Sequence, residues 1–360
     1  MKKSFLLILG CLITSPVYSA TIYDRDNLTI SLDGELAGYT IYNSVASGNA
    51  NKFDVTGYGE FHINPEFQIN KNNKVGAYIE LETHPDNEEN KKDKVYKETY
   101  VYSEGNYGRF EIGRAKNISR KIHITTPDVG ILDIDDSEGL DYILTPDNFI
   151  FINSTAINTD AESNKINYIS PSFKGFQIAG SYIPGANDTN GDNTIEYSKY
   201  KRGFTSSLKY SYVDTVNFAV SFGYGRFDET NLVLSNAKRR EEYSVGAKYY
   251  VRGLQFTASY KNIVESDILS AVSQAGYAVN YGIAYEIGPF AISLSNHQSS
   301  VDGLLSVDGK DRLYLSLLST KYTLTDGVDF SVSAGRIAYD AENEPASVGV
   351  LAATGFVVNF

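Results

Sequence analysis

The chain ends on a run of alternating side chains that continues to its final aromatic residue. On one side of an extended backbone this run places Val348, Val350, Ala352, Thr354, Phe356, Val358 and Phe360. The pattern predicts a terminal β-strand that must pair with another strand along its whole length. As the edge of an open sheet it would expose an apolar template for aggregation, whereas closing the sheet into a barrel removes that edge. We therefore expect a closed β-barrel.

The same period-2 alternation recurs along the chain, with one apolar, aromatic face and one small, polar or basic face. Tyr281 and Ile283 flank Gly282, for example, and turns such as Arg252-Gly253 alternate with long polar connections such as 228–239. This rhythm is typical of an outer-membrane barrel with short periplasmic turns and long outer loops. We predict sixteen antiparallel strands, at about 28–42, 54–68, 74–84, 94–104, 107–114, 164–171, 175–183, 203–213, 216–228, 240–251, 253–264, 275–287, 289–298, 312–324, 327–340 and 347–360.

Residues 1–19 have the composition of a secretory signal peptide. Lys2-Lys3 precede an apolar stretch over 5–13, and the residues at −3 and −1 suit a cleavage site after Ser19. The sequence therefore predicts an exported protein whose mature chain, 20–360, forms one barrel domain. No linker and no change in composition divides this chain into separate domains.

Cys11 is the only cysteine, and it lies in the predicted signal peptide. Lipidation at Cys11 is an alternative, but that cleavage would leave the apolar stretch too short to function. The mature chain then carries no thiol, which excludes disulfides and thiol chemistry. The net charge is −12 and becomes more negative when the signal peptide leaves. Such an acidic chain is not expected to bind nucleic acid.

Alternation alone is also compatible with a large soluble all-β protein. Three features favour a membrane instead: the export signal, aromatic residues near the strand ends, and polar residues on the face that a soluble barrel would fill with apolar side chains. No apolar run reaches the length of about 18 residues that a transmembrane helix needs. We predict an all-β transmembrane barrel in the cell outer membrane, surrounded by lipid and lipopolysaccharide.

Motifs at both ends and in the middle of the mature chain are informative together. They are Ala20-Thr21-Ile22-Tyr23-Asp24 with Leu32-Asp33-Gly34, the segment from Tyr107 to Arg114, the segment from Asn167 to Phe176, and the terminal Phe360. In this order and spacing they resemble the general Gram-negative porins. The resemblance implies a sixteen-stranded barrel, usually a homotrimer, that lets small hydrophilic solutes and ions diffuse passively. It also implies a third loop that folds inward and narrows the pore.

Residues 115–163 form the long connection that corresponds to this third loop. A structureless connection of that length is improbable unless it packs against something. Its acidic residues, interleaved with apolar ones, are Asp128, Asp133, Asp135, Asp136 and Glu138. We expect the apolar residues to anchor on the barrel wall while the carboxylates face the lumen. A solvated outer loop is the alternative. The loop lacks the Pro-Glu-Phe-Gly-Gly motif of enterobacterial members, so the resemblance does not assign its constriction residues.

The wall that should face this loop is mostly acidic. Arg114 matches a wall arginine of the family, whereas Glu60 and Glu35 stand where the resemblance implies basic residues. Alternation independently turns Glu60 and Glu111 toward the lumen. Lys165 is one of the basic residues predicted to face the lumen from later strands. An acidic ring in a narrow pore favours cations, so we predict mild cation selectivity.

No sequence pattern predicts an enzyme, a cofactor or a metal site. The histidines His62, His84, His123 and His297 lack the paired spacing of a metal motif, and Gly-x-Ser-x-Gly is absent. An outer-membrane phospholipase, a surface adhesin or receptor, and a substrate-specific channel are the alternatives to a passive diffusion channel.

Overall fold

The computed structural model describes residues 19–44, 52–83, 96–186, 200–214, 217–230, 237–266, 272–342 and 344–360. Within them lie seventeen β-strands and two short helices. The strands are β1 (Ala20–Arg25), β2 (Leu28–Asn43), β3 (Phe53–Asn70), β4 (Asn73–Thr83), β5 (Tyr96–Gly105), β6 (Gly108–Arg114), β7 (Asn164–Ile169), β8 (Phe176–Ala186), β9 (Tyr200–Val213), β10 (Asn217–Thr230), β11 (Ala237–Val251), β12 (Leu254–Ser266), β13 (Val272–Ile287), β14 (Phe290–Leu304), β15 (Asp311–Thr325), β16 (Val328–Asp340) and β17 (Ser347–Asn359).

Strands β2 to β17 form a closed barrel. Each pairs antiparallel with its sequence neighbours, and β17 pairs back onto β2, with Leu351 opposite Asn43 and Asn359 opposite Glu35. Phe360 continues this ladder, since it exchanges backbone hydrogen bonds of 3.0 and 3.1 Å with Gly34. The predicted sixteen-stranded antiparallel barrel is therefore confirmed.

One strand was not predicted. β1 forms a hairpin with β2, with Ala20 opposite Leu32 and Arg25 opposite Leu28. Because β3 occupies the other edge of β2, β1 lies on the same edge as β17 and extends it beyond Gly34. The turn is made by Asp26, whose φ of 56° is a left-handed conformation that aspartate tolerates.

The faces of the strands are inverted relative to a soluble protein. On β16 the apolar Phe330 and Val332 are exposed, at 36% and 40%, whereas Ser331 and Ser333 are buried, at 1% and 0%. Exposed apolar side chains recur on the outer face of the other strands. Because a continuous apolar exterior is unfavourable in water, this surface requires an apolar surrounding.

Both helices lie between β6 and β7. The α-helix α1, Ile118–Ile122, begins after Asn117, whose side chain accepts a 2.9 Å hydrogen bond from the backbone N–H of Arg120. The other is a 3-10 helix, Glu138–Tyr142. Among the described residues, neither helix combines the length and the apolar character needed to cross a membrane. The predicted signal peptide lies, apart from Ser19, outside the described residues and stays a prediction.

Candidate functional site

Residues 115–163, called the inner loop below, run along the inside of the barrel wall. The backbone N–H of Ile118 donates to Ser181 on β8 at 2.8 Å, and that of Ile124 donates to Ser221 on β10 at 3.1 Å. Further along, the hydroxyl of Ser295 on β14 donates to the carbonyl of Pro127 at 2.7 Å. The predicted third loop thus lies in the lumen, and the solvated outer loop considered as an alternative is not the arrangement observed.

The tip of the inner loop is held by apolar packing. Its buried residues Ile131, Leu132 and Ile134 belong to one cluster with wall residues of β15, β16, β17 and β2. Tyr339 on β16 also donates to the carbonyl of Leu140 at 3.0 Å. The apolar residues between the acidic ones therefore anchor the loop on the wall opposite its base.

The loop then returns along the same wall. The N–H of Ile150 donates to Asp311 on β15 at 2.9 Å, and Lys261 on β12 donates to the carbonyl of Ala156 at 2.8 Å. Small wall residues make the close approach possible. A Cβ at Gly246 on β11 would clash with the carbonyl oxygen of Ile124. Glycine at this wall position is therefore required for the loop to lie flat.

Lys165 does not reach the lumen, which corrects its predicted role. Its side chain is fully buried at the base of the inner loop, where Nζ lies 2.9 Å from Oδ2 of Asp160. It also donates to the carbonyls of Ala115 and Ala161. Alternation alone predicts that a lysine on the inner face of a strand meets water, but the returning loop covers Lys165.

Glu111 is likewise covered, at 3% exposure. Its carboxylate accepts from Lys121 of the inner loop at 2.8 Å, from Arg109 at 2.9 Å and from Asn167 at 3.0 Å. Glu111 therefore faces inward, as the alternation predicted, but it ties the loop to the wall rather than presenting a free charge to the lumen.

The inner loop leaves part of the wall formed by β2 to β5 uncovered, and a cavity of about 320 Å³ lies between this part of the wall and the loop tip. We call this cavity the eyelet. Its lining residues are Asp33, Gly34, Glu35, Tyr58, Glu60, His62, Glu82, Lys97, Ile131, Asp133 and Asn359. Five of them carry carboxylates, against one lysine and one histidine. The predicted Glu35, Glu60 and Asp133 thus meet at one site.

The eyelet charges form a connected network. His62 bridges two carboxylates, with Nδ1 2.6 Å from Asp33 and Nε2 2.7 Å from Glu60. The ammonium of Lys97 lies 3.0 Å from Glu82 and 3.8 Å from Glu60. Such shared contacts hold the side chains in place while leaving the acidic groups in excess.

The other acidic residues of the loop have different surroundings. Asp135 accepts from Ser154 at 2.7 Å and from Asn280 on β13 at 2.6 Å, so it fastens the loop to the wall. Asp136 is exposed and lies 3.4 Å from Arg120. The side chain of Glu138 lies outside the described part of the structure.

Asp128 is predicted to face the lumen, but both of its carboxylate oxygens are shielded from solvent. Burial, together with the charge of nearby Asp133, raises the pKa of the Asp128 carboxyl well above its usual range. Arg114 is not among the described residues that line the eyelet, and its Nε donates to the carbonyl of Lys97 at 3.0 Å. Neither residue contributes to the eyelet lining.

The sequence does not assign the charged or titratable eyelet residues Asp33, His62 and Lys97 to the site. Asp33 and Glu35 are two residues apart on β2, and Glu60 and His62 are two apart on β3, so each pair shares a strand face. That spacing was an available signal. What it could not supply is the register that sets Asp33 opposite His62.

Comparison with known proteins finds a family model and solved structures that match this chain. A family model described as "Gram-negative porin" matches residues 7–342. No curated protein sequence matches. Among solved structures, the outer membrane channel DcaP of Acinetobacter baumannii superposes with a TM-score of 0.69 at 14% identity, covering 95% of this chain and 100% of that one.

Two further structures show the same fold. The anion-selective porin from Comamonas acidovorans has a TM-score of 0.67 at 14% identity, covering 92% of this chain and 100% of that one. OmpT of Vibrio cholerae, described as a trimer form, has a TM-score of 0.62 at 11% identity, covering 93% of this chain and 100% of that one. At these identities the likeness concerns the fold alone.

Proposed function

The chain belongs to the Gram-negative porin family, and we propose that it forms a water-filled outer-membrane channel through which small hydrophilic solutes and ions diffuse passively, with a mild preference for cations. Family membership supports a channel over the adhesin, receptor and enzyme alternatives. The observation that carries the cation preference is the composition of the eyelet, where five carboxylates face one lysine and one histidine.

The fold itself does not decide the sign of selectivity. The anion-selective porin from Comamonas acidovorans shares this fold, so the charges at the narrow zone must decide it. In this chain the inner loop covers the wall from β8 to β17, which leaves the passage beside β2 to β5. Permeating ions would therefore pass between Glu60 on the wall and Asp133 on the loop.

The magnitude of the effect is sufficient for selectivity. A unit charge about 4 Å from an ion contributes about 1 kcal/mol in bulk water and about 4 kcal/mol at the lower effective dielectric of a partly dehydrated site. His62 and Lys97 offset part of the acidic charge because they contact Glu60 directly. We therefore propose a preference rather than strict exclusion of anions.

Planar-bilayer recording under a potassium chloride gradient tests this proposal. The reversal potential should have the sign of a cation-preferring pore, and Glu60→Gln should move it toward zero. Glu66→Gln is the matched control, because Glu66 lies on the same strand outside the eyelet and pairs with Lys74 at 2.8 Å. An anion-preferring wild type, or equal shifts in both variants, would contradict the charge assignment.

We also propose a homotrimer. The outer face carries a contiguous patch of small side chains, here called the flat patch, made of Gly38, Thr40, Ala334, Ala352 and Thr354. In it Ala334 lies opposite Ala352 and Thr354 opposite Thr40. Large residues border it, such as Tyr42 opposite Ala352 and Phe356 opposite Gly38, and the outer face of other strands carries large residues such as Tyr281. A flat patch lets two barrels approach closely, and the trimer form of Vibrio cholerae OmpT shows the fold in that assembly.

A further inference from the structure

We propose that Glu60, His62 and Glu80 on the eyelet wall bind a divalent transition-metal cation such as Zn²⁺, and that the bound ion reduces the current through the eyelet. The ligand atoms of the three residues lie within 4.8 Å of one another. One imidazole with two carboxylates is a donor set that suits Zn²⁺. The effect on current rests on the proposed function, whereas the binding of metal does not.

The strand register brings the three ligands together. His62 on β3 lies directly opposite Glu80 on β4, and Glu60 is two residues along β3 on the same face. Directly opposed residues of an antiparallel pair have Cβ atoms about 5 Å apart. Because both strands belong to the closed barrel, little reorganisation is needed to present the three side chains to one ion.

The orientation of His62 favours metal binding. Its Nδ1 lies 2.6 Å from Asp33, a carboxylate on the neighbouring strand β2. A carboxylate that accepts from one ring nitrogen is the arrangement that commonly orients metal-binding histidines and aims the other nitrogen at the ion. The other nitrogen, Nε2, lies 2.7 Å from Oε1 of Glu60. Since both ring nitrogens face carboxylates, each carries a proton in the metal-free protein, and an ion that binds Nε2 displaces its proton to solvent.

Glu80 supplies an independent observation. The residue is 1% exposed, and Tyr78 donates to its Oε2 at 3.3 Å. Its Oε1 accepts no hydrogen bond from any described residue, and the nearest cations are Lys97 and Lys116, at 3.8 and 3.9 Å. A buried carboxylate oxygen without a donor is costly. A metal ion in the cluster would satisfy it.

Lys97 competes with a metal ion for the carboxylates of Glu60 and Glu80. Its ammonium lies 3.8 Å from both Glu60 and Glu80, but it makes its closest contact with Glu82, at 3.0 Å. The flexible lysine can keep the Glu82 contact while an ion enters between the other two carboxylates. Removing the ammonium should therefore strengthen metal binding.

The donor set also discriminates between cations. Mg²⁺ and Ca²⁺ take six or more oxygen ligands, whereas Zn²⁺ accepts nitrogen and oxygen in four-coordinate sites. A site that depends on His62 should thus bind Zn²⁺ in preference to Mg²⁺. An acidic cluster that only attracts divalent charge would show no such preference.

Isothermal titration of the detergent-solubilised protein with Zn²⁺, together with bilayer recording in Zn²⁺, tests the proposal. We expect one zinc site and a fall in current for the wild type. His62→Asn and Asp33→Asn should each lower the affinity by about tenfold or more, and Lys97→Met should raise it. Glu66→Gln, on the same strand, should leave the affinity unchanged. Gel mobility before and after heating checks that each variant folds, and Glu80→Gln replaces His62→Asn if the latter does not.

Unchanged zinc affinity in His62→Asn or its replacement, or equal competition by Mg²⁺, would overturn the site. Zinc that binds through His62 without lowering the current would overturn the effect on permeation. A protein that binds zinc through His62 but conducts no ions would instead refute the proposed function and leave the metal site standing.

Discussion

The ammonium of Lys165 lies 2.9 Å from Oδ2 of Asp160, and neither side chain has any exposed surface. Asp160 is near the end of the inner loop and Lys165 is near the start of β7, so the pair closes the base of the loop. Asn117, at the other end of the loop, donates to Oδ1 of Asp160 at 2.6 Å. Both ends of the loop therefore converge on one buried carboxylate.

Lys165→Met should destabilise the protein, because it leaves the carboxylate of Asp160 buried without its cation. A broken buried pair costs about 3 to 5 kcal/mol. The free energy of unfolding in detergent measures this, and we also expect noisier open-channel current as the loop base loosens. Lys310→Met is the control, since Lys310 pairs with Asp302 at 2.9 Å on the exposed surface; such pairs contribute about 1 kcal/mol or less. Equal losses in the two variants would contradict the role of Lys165.

Gly246→Ala should displace the inner loop, because the new Cβ would meet the carbonyl oxygen of Ile124. Overpacking of this kind costs about 1 to 3 kcal/mol. Unfolding midpoints and single-channel conductance measure the two effects. Gly180→Ala is the matched control, since its new Cβ would have its nearest neighbour at 3.5 Å, an ordinary contact. The prediction fails if the two alanine variants behave alike.

Asp128→Asn should stabilise the protein at neutral pH. Because the pKa of Asp128 is raised in the folded state, the folded protein binds this proton more tightly than the unfolded chain does. Protonation of Asp128 therefore contributes its full stabilisation below the unfolded-state pKa of about 3.9. This stabilisation is lost as the pH rises toward the pKa of Asp128 in the folded protein. Asparagine resembles the neutral form, so the advantage of the variant should appear as the pH rises through that window.

Unfolding midpoints between about pH 3 and pH 8 measure the effect of Asp128→Asn. Asp136→Asn serves as a control, since Asp136 is exposed. A variant that is less stable than the wild type at neutral pH would show that the Asp128 charge is needed in place.

Ala352→Trp should disrupt the proposed trimer. Ala352 lies in the flat patch, where an indole would hold neighbouring barrels apart. Mobility on gels without heating, or mass determination in detergent, measures the assembly. Ala258→Trp is the control, because Ala258 is also exposed on the outer face, on β12, away from the flat patch. Dissociation by both variants, or by neither, would argue against this interface.

Most of the barrel was predictable because its pattern is local. Alternation located strands such as β12 and β16 to within about two residues at each end, since each strand has one face toward an apolar surrounding and one toward the interior. β1 escaped because its six residues are all exposed, and its pairing depends on the free edge of β2 rather than on its own pattern.

The candidate site was predictable only in part, because it depends on contacts between distant segments. The inward direction of Glu60 follows from its own strand. The burial of Lys165 depends on where the loop returns, and the meeting of His62 with Glu80 depends on the register of two strands. Neither appears in the spacing of residues along one strand, which is why the scattered histidines predicted no metal site.

The junction of β17 with β2 also bears on how the molecule is assembled. Thr40 and Thr354 meet there across a separation of 314 residues, and bringing the ends of so long a segment together costs about 5 kcal/mol in the logarithmic part of the closure entropy. The ring can close only after the last strand is available, so the intermediate strands should associate first. Until then the growing sheet has two unpaired edge strands. The protein is therefore more exposed to misassembly during folding and insertion than after the barrel has closed.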